Sequence, residues 1–291
     1  MSTTVDAPPR EQENEFTARR HVYEPHRVGL PPLVPYVKEL WRRREFAIEL
    51  SRTSLRAQHF DTAFGQLWLI LNPVLLGFVY FLLVDILHHH KNADQFFAHL
   101  LSGLFLYYFL QQSLTQGVRS VVSGGKLILN SAFPRALLPL SAVRTAFFRF
   151  LPTMLIYIPV HILTARPVTW QLLWTIPIVL SLVFLASGLA MILAAGQVYF
   201  RDLDNFLPYF LRIWLYTTPI LYYAHEVPAR YKWVLDANPI GKLFTSWSDV
   251  IIEGVAPTYR GIALGAAWGV GLFVVGSLFF LSREREFAVR I

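Results

Sequence analysis

The chain has 291 residues, 54% of them hydrophobic and only 15% charged, a balance that would leave a water-soluble globule with far too much apolar surface. Cysteine is absent, which excludes a disulfide framework, a thiolate metal site and a cysteine nucleophile. The formal net charge of +7 would suggest nucleic acid in a soluble protein, but here the basic residues flank apolar segments, so they read as membrane orientation and no nucleic-acid partner is expected.

Residues 1–32 are polar and Pro-containing, without the apolar stretch of a signal peptide, and are expected to be a retained, disordered cytoplasmic tail. Over 33–60 the residues Val37, Leu40, Trp41, Ala47, Ile48 and Leu55 fall roughly on one helical face, with Lys38, Arg42, Arg43, Arg52 and Arg56 elsewhere. This predicts an amphipathic helix lying at the headgroup level. Six spans of about 20 residues follow at 66–87, 96–114, 143–163, 172–195, 206–223 and 262–281, making 61–283 an all-α transmembrane domain with a short tail at 284–291.

An even number of crossings puts both termini on one side. Arg42, Arg43, Arg44, Arg52 and Arg56 precede the first span, Arg119, Lys126 and Arg135 sit between the second and third, Arg201 follows the fourth, and Arg283, Arg285 and Arg290 follow the last. Both termini are therefore expected in the cytoplasm. The loop before the last span breaks the pattern, with Arg230, Lys232, Lys242 and Arg260 among Trp233, Leu235, Phe244, Trp247 and Ile251 on the outer side. Asn238-Pro239 should divide it into two short helices, an interfacial or re-entrant hairpin over about 225–258.

Absent residues narrow the function. No Asp or Glu occurs between Asp94 and Asp202, and Asp85 is the one carboxylate within the expected spans. Ion-coupled transporters commonly place titratable carboxylates at membrane depth, and acid–base or metal-assisted catalysis needs them too, so a secondary transporter and an intramembrane enzyme are both disfavoured. Ser123-Gly124-Gly125-Lys126-Leu127 ends like a phosphate-binding loop, but Arg119 stands where the first glycine belongs and Leu127 where the Mg-binding hydroxyl belongs. The run His88-His89-His90 has no carboxylate or cysteine at diagnostic spacing, so no metal site is assigned. Arg149 and Arg212, inside expected spans, read equally as contacts to an anionic headgroup and as arginines snorkelling to the interface. Aromatic clusters such as Phe105, Tyr107, Tyr108 and Phe109, or Tyr209, Phe210, Trp214 and Tyr216, suit both helix packing and a path for sugars.

Several stretches resemble the permeases of polysaccharide-exporting ABC transporters, the Wzm-type proteins, from about Leu33 onward. They are Gly65-Gln66-Leu67-Trp68 through Asn72-Pro73, the segment Asn130-Ser131-Ala132-Phe133-Pro134-Arg135 with Leu138-Pro139-Leu140, Tyr199-Phe200-Arg201-Asp202-Leu203, Thr218-Pro219-Ile220 and Asn238-Pro239. The resemblance implies a multi-pass protein of the bacterial inner membrane that forms a homodimer and pairs with two copies of a separate nucleotide-binding subunit. That subunit would hold ATP and Mg, and this chain no cofactor and no catalytic residue. The coupling segment, about 126–140, would dock Ser131, Phe133, Pro134 and Arg135 on the ATPase, with Arg201 and Asp202 nearby. The implied substrate is a glycan on a polyprenyl diphosphate, met by Arg42, Arg43, Arg44, Arg52 and Arg56, which would equally serve to bind anionic membrane lipids. Tyr107, Tyr108, Phe109, Trp214 and Tyr216 would line its path, and Trp233 and Trp247 would form an outer gate. Residues 33–87 are similar to actinobacterial permeases for a lipid-linked galactan, while O-antigen and teichoic-acid exporters share the motifs. The competing readings are an ion-coupled lipid-glycan flippase without an ATPase, a membrane glycosyl- or acyltransferase, and a drug-exporting permease.

Overall fold

The computed structural model describes residues 30–57, 67, 68, 71, 74, 75, 77–82 and 93–291. Residues 1–29 of the expected tail over 1–32, the histidine run at 88–90, Asp85 and half of the first expected span lie outside the described residues. Among the described residues every regular element is helical, as the apolar patterning requires.

The expected interfacial helix is two helices, α1 (Leu33–Arg42) and α2 (Arg44–Ala57), broken at Arg43, whose φ of −97° and ψ of 17° leave the helical region. α1 buries none of its residues completely. Tyr36 and Leu40 turn toward the protein, while Leu33, Val34, Val37 and Trp41 form an exposed apolar stripe. A short helix with one apolar face left bare suits the membrane–water interface. α2 is held to the bundle by polar contacts: the buried Ser51 and Thr145 hydroxyls share a hydrogen bond of 2.9 Å, and Arg144 donates to the Ile48 carbonyl at 3.4 Å.

The bundle consists of α3 (Ala93–Ser123), the short α4 (Gly125–Asn130), α5 (Leu137–Leu163), α6 (Thr175–Tyr199), α7 (Leu203–Thr217), α8 (Lys232–Ala237), α9 (Gly241–Ser248) and α10 (Tyr259–Arg283). A 3-10 turn, Glu284–Glu286, and α11 (Phe287–Arg290) end the chain. Among the described residues three stretches are long and apolar enough to cross a bilayer, Leu137–Leu163, Trp170–Tyr199 and Tyr259–Arg290. They cover the third, fourth and sixth expected spans.

The second and fifth expected spans differ from that type for separate reasons. α3 runs 31 residues, about 46 Å, but one face carries Gln112, Thr115, Gln116 and Arg119. It can be so polar because it is the central helix, flanked by α5, α6 and α7 and burying Leu100, Leu104 and Leu110 against the protein. α7 stops after 15 residues, about 22 Å, because Thr218 turns extended before Pro219, whose ring disfavours helix in the residue before it. It buries Leu207, Leu211 and Leu215, and exposes Phe206, Tyr209, Phe210, Ile213 and Tyr216.

The closest helix pair is α6 with α10. A Cβ on Gly188 would stand 2.2 Å from the Leu272 carbonyl oxygen, and one on Gly276 would stand 2.2 Å from that of Gly188. Helices associate in lipid chiefly through such small-residue contacts, because hydrophobic burial no longer favours association. At the end of α3, Arg119 clamps Asp204 at the start of α7 with contacts of 2.7 and 2.8 Å. Its side chain is 67% exposed, so solvent screens the pair. Arg119→Ala is expected to cost no more than about 1 kcal/mol, read as a small fall in thermal midpoint in detergent.

Candidate functional site

One end of the bundle gathers four stretches that are remote in sequence: α1 with the start of α2, residues 131–136, the α6–α7 turn and the C-terminal segment. After α4 the backbone at Ser131 turns extended, with φ −142° and ψ 136°, and leaves Ser131 exposed. The Phe133 ring packs on Phe46 of α2 at 4.8 Å between centroids. Arg43, at the break, donates to Glu39 Oε1 at 2.5 Å and to the Ala132 carbonyl. Pro134 is buried, and the Arg135 backbone N–H donates to Glu284 Oε1 at 2.6 Å while its guanidinium donates to the Glu284 carbonyl. The Tyr36 hydroxyl lies against the same carboxylate and accepts from the Ala136 N–H at 3.4 Å. Burial, with the Glu284 carboxylate adding to it, raises the Tyr36 pKa, so this phenol stays protonated and able to donate.

The α6–α7 turn joins the same surface. Buried Gln197 donates to the Arg201 carbonyl at 2.7 Å and accepts from the Asp204 N–H at 3.0 Å, so one side chain braces both limbs of the turn. Arg201, Asp202 and Phe200 are thereby held outward at its tip. Tyr199 donates to Glu286 Oε2 at 2.7 Å, and Arg290 caps its ring at 4.5 Å, fastening the C-terminal segment to the turn. The outcome is a braced platform from which Ser131, Arg201, Asp202 and Phe200 project. Of the expected docking residues, Ser131, Arg201 and Asp202 project, whereas Phe133, Pro134 and Arg135 are held within the platform; Phe200, Glu284 and Gln197 were not singled out from the sequence.

The arginines of α1 and α2 separate into two kinds. Arg43 is committed to residue 132, whereas Arg42 pairs with Glu39 at 2.8 Å, Arg44 sits over Trp41 at 4.9 Å, Arg52 faces Glu49 at 3.5 Å, and Arg56 is exposed. These four remain at the surface, able to meet anions.

The aromatics separate as well. Tyr107 and Phe109 are 2% exposed in the core, the Tyr107 hydroxyl donating to the Leu211 carbonyl, and Tyr108 is half-buried. Trp214 is half-buried too, and Tyr216 stands outward on the exposed face of α7 with Tyr209. The described geometry therefore offers that face, rather than Tyr107 and Phe109, to anything outside the subunit.

At the opposite end Asn238-Pro239 separates α8 from α9, as the sequence predicts, and α9 enters the core through Leu243, Phe244 and Trp247. Irregular backbone at depth is tolerable when protein satisfies it. Asn238 does so: its Oδ1 accepts from Trp214 Nε1 at 2.8 Å and from the Ile240 N–H at 3.1 Å, and its Nδ2 donates to the Thr217 carbonyl at 3.2 Å and Thr218 Oγ1 at 3.1 Å. Asn238→Leu strands three of these groups in a buried site and is expected to cost about 2–4 kcal/mol. Trp214→Phe, which removes one donor, should cost clearly less, and equal losses of thermal midpoint in detergent would contradict this assignment. Of the two expected gate tryptophans, Trp247 is buried and Trp233 is 66% exposed on α8. In the π-helical turn Asp249–Glu253 after α9, burial, with the Glu253 carboxylate adding to it, pushes the Asp249 carboxyl up to about 6. Among the described residues no group of three or more His, Asp or Glu is placed to hold a metal ion.

The chain as a whole is similar to known proteins. The chain is 28% identical over 247 residues to the O-antigen export system permease protein RfbA of Klebsiella pneumoniae, covering 84% of this chain and 94% of that protein. It is 29% identical over 262 residues to the protein of the same name from Myxococcus xanthus, covering 89% of this chain and all of that one. The resemblance to polysaccharide-export permeases holds along most of the chain. No family model matches it. The alignments run nearly end to end in the relatives, so the likeness extends well beyond one shared span.

Proposed function

We propose that this chain is the permease subunit of an ABC transporter that exports a lipid-linked polysaccharide, driven by ATP hydrolysis in a separate subunit. The observation that carries the reading is the platform, where residues 131–136, the α6–α7 turn, α1 and the C-terminal segment are tied into one surface by Glu284, Gln197 and Arg43. A surface built this way transmits a push without absorbing it, as coupling to a motor subunit requires. The likeness to proteins named O-antigen export permeases supplies the class of cargo. In this reading the platform faces the cytoplasm, in keeping with the arginines on α1 and α2 and those following α10. The outward aromatic face of α7 meets a second copy, and the polymer passes between them. By the similarity of residues 33–87 the cargo is a polyprenyl-diphosphate-linked galactan.

The test is to co-express the tagged chain with its cognate nucleotide-binding subunit, purify the complex in detergent, and measure subunit ratio, ATP turnover and export of labelled polymer from vesicles. Equal numbers of the two subunits, vanadate-sensitive turnover and ATP-dependent export are expected. A chain that purifies alone and moves lipid-linked glycan on an ion gradient would replace this reading with an ion-coupled flippase.

A further inference from the structure

Between α2, α3 and α5 lies a cavity of about 500 Å³ lined by polar faces of all three helices. α3 contributes Gln112, Thr115, Gln116 and Arg119, and α5 contributes Thr145 and Arg149 at helical spacing on one face. Arg149 is only 9% exposed, and among the described residues its Nε has no hydrogen-bond partner. Among the described residues no acidic side chain lines the cavity. A guanidinium brought to this depth without a counter-charge is costly, and the cost is met when an anion occupies the space it faces. Arg212, by contrast, is exposed on α7.

We propose that this cavity is a binding site for a phosphate group, with Arg149 as its principal ligand. The chemistry of the lining selects the anion. Thr115, Ser120, Ser141 and Thr145 donate their hydroxyls to carbonyls of their own helices, so the donors left are the Arg149 guanidinium, the part of Arg119 that Asp204 does not engage, and the Gln112 amide. Planar guanidinium forks match phosphate oxygens, and the volume admits a phosphoester with several waters. α2, expected from the sequence to lie at the headgroup level, supplies Leu50 and Ser54 to the same wall, and at that level the cavity would lie beside lipid phosphates. The site needs no ATPase partner and stands or falls separately from the transport reading.

The experiment uses the purified, delipidated full chain and native mass spectrometry, titrating phosphatidylglycerol, phosphatidylcholine and inorganic phosphate separately. The wild-type chain should retain phosphatidylglycerol preferentially, and Arg149→Gln should weaken it about tenfold, while Arg212→Gln leaves it unchanged. Competition by inorganic phosphate would show that the phosphate alone is recognised, and its failure to compete would show a lipid headgroup that needs its tails; each supports the site. Equal retention of phosphatidylcholine would show that the phosphodiester is recognised whatever its headgroup, which also supports the site; undiminished binding by Arg149→Gln overturns it. Should Arg149→Gln not accumulate, Thr115→Phe fills the cavity without touching the guanidinium and must produce the same loss; retained binding there overturns the proposal equally.

Discussion

Gly276→Leu is expected to yield almost no folded protein, whereas Gly271→Leu on the same helix should behave like the wild type. At Gly276 a Cβ would sit 2.2 Å from the Gly188 carbonyl oxygen and 2.8 Å from its Cα, and at Gly269 another would sit 2.5 Å from the Ser181 carbonyl oxygen. These neighbours are backbone, which cannot rotate aside as a side chain can. α6 and α10 would have to separate, giving up contacts along both helices, and the cost should exceed about 3 kcal/mol. At Gly271 nothing lies within 4 Å of the same atom. Fluorescence-detected size exclusion and thermal midpoint of the two variants in one detergent provide the comparison. Equal damage would mean that lipid-facing glycines matter here as much as the crossing does.

Glu284→Leu is expected to separate ATP turnover from export. The carboxylate accepts the Arg135 N–H at 2.6 Å and faces the Tyr36 hydroxyl, so its removal strands groups from two other segments at one buried point. Losing these contacts should release residues 131–136 from the C-terminal segment by about 1–3 kcal/mol, which is roughly a 5- to 150-fold change in how often the platform is closed. In the proposed complex with the ATPase, polymer exported per ATP hydrolysed should fall by at least about fivefold while subunit assembly is retained. Glu284→Gln keeps the acceptor oxygen and should retain most of the ratio. If Glu284→Leu lowered hydrolysis and export together, the segment would be acting on assembly rather than on transmission.

What the sequence made legible follows from how local each signal is. The division at Asn238-Pro239 was readable because proline cannot continue a helix whatever surrounds it. The break at Arg43 was not, since nothing in the arginine run 42–44 disfavours helix; it forms because Arg43 is held by Ala132, 89 residues away. Glu284 was hidden for the same reason, its partner Arg135 lying 149 positions earlier. Hydropathy identified α5, α6 and α10 by their composition, but it overran α7, whose last turn is decided by Thr218 and Pro219 rather than by apolar content. Burial could not be assigned among the aromatics because Tyr107 and Tyr216 are alike in a hydropathy window and differ only in which helix faces them. Arg149 and Arg212 were equivalent for the same reason until the cavity set them apart.

The shortness of α7 has a bearing on the energetics of passage. Its 15 helical residues extend about 22 Å, less than the roughly 30 Å of a bilayer's hydrocarbon core. Asp202 and Asp204 stand at one end, and Thr218 with the Asn238 amide at the other. In the transporter proposed above, a hydrophilic chain sliding along this helix would leave bulk water later and regain polar company sooner than it would beside a full-length span. The dehydration barrier it would meet is a narrow septum rather than the full depth of the membrane.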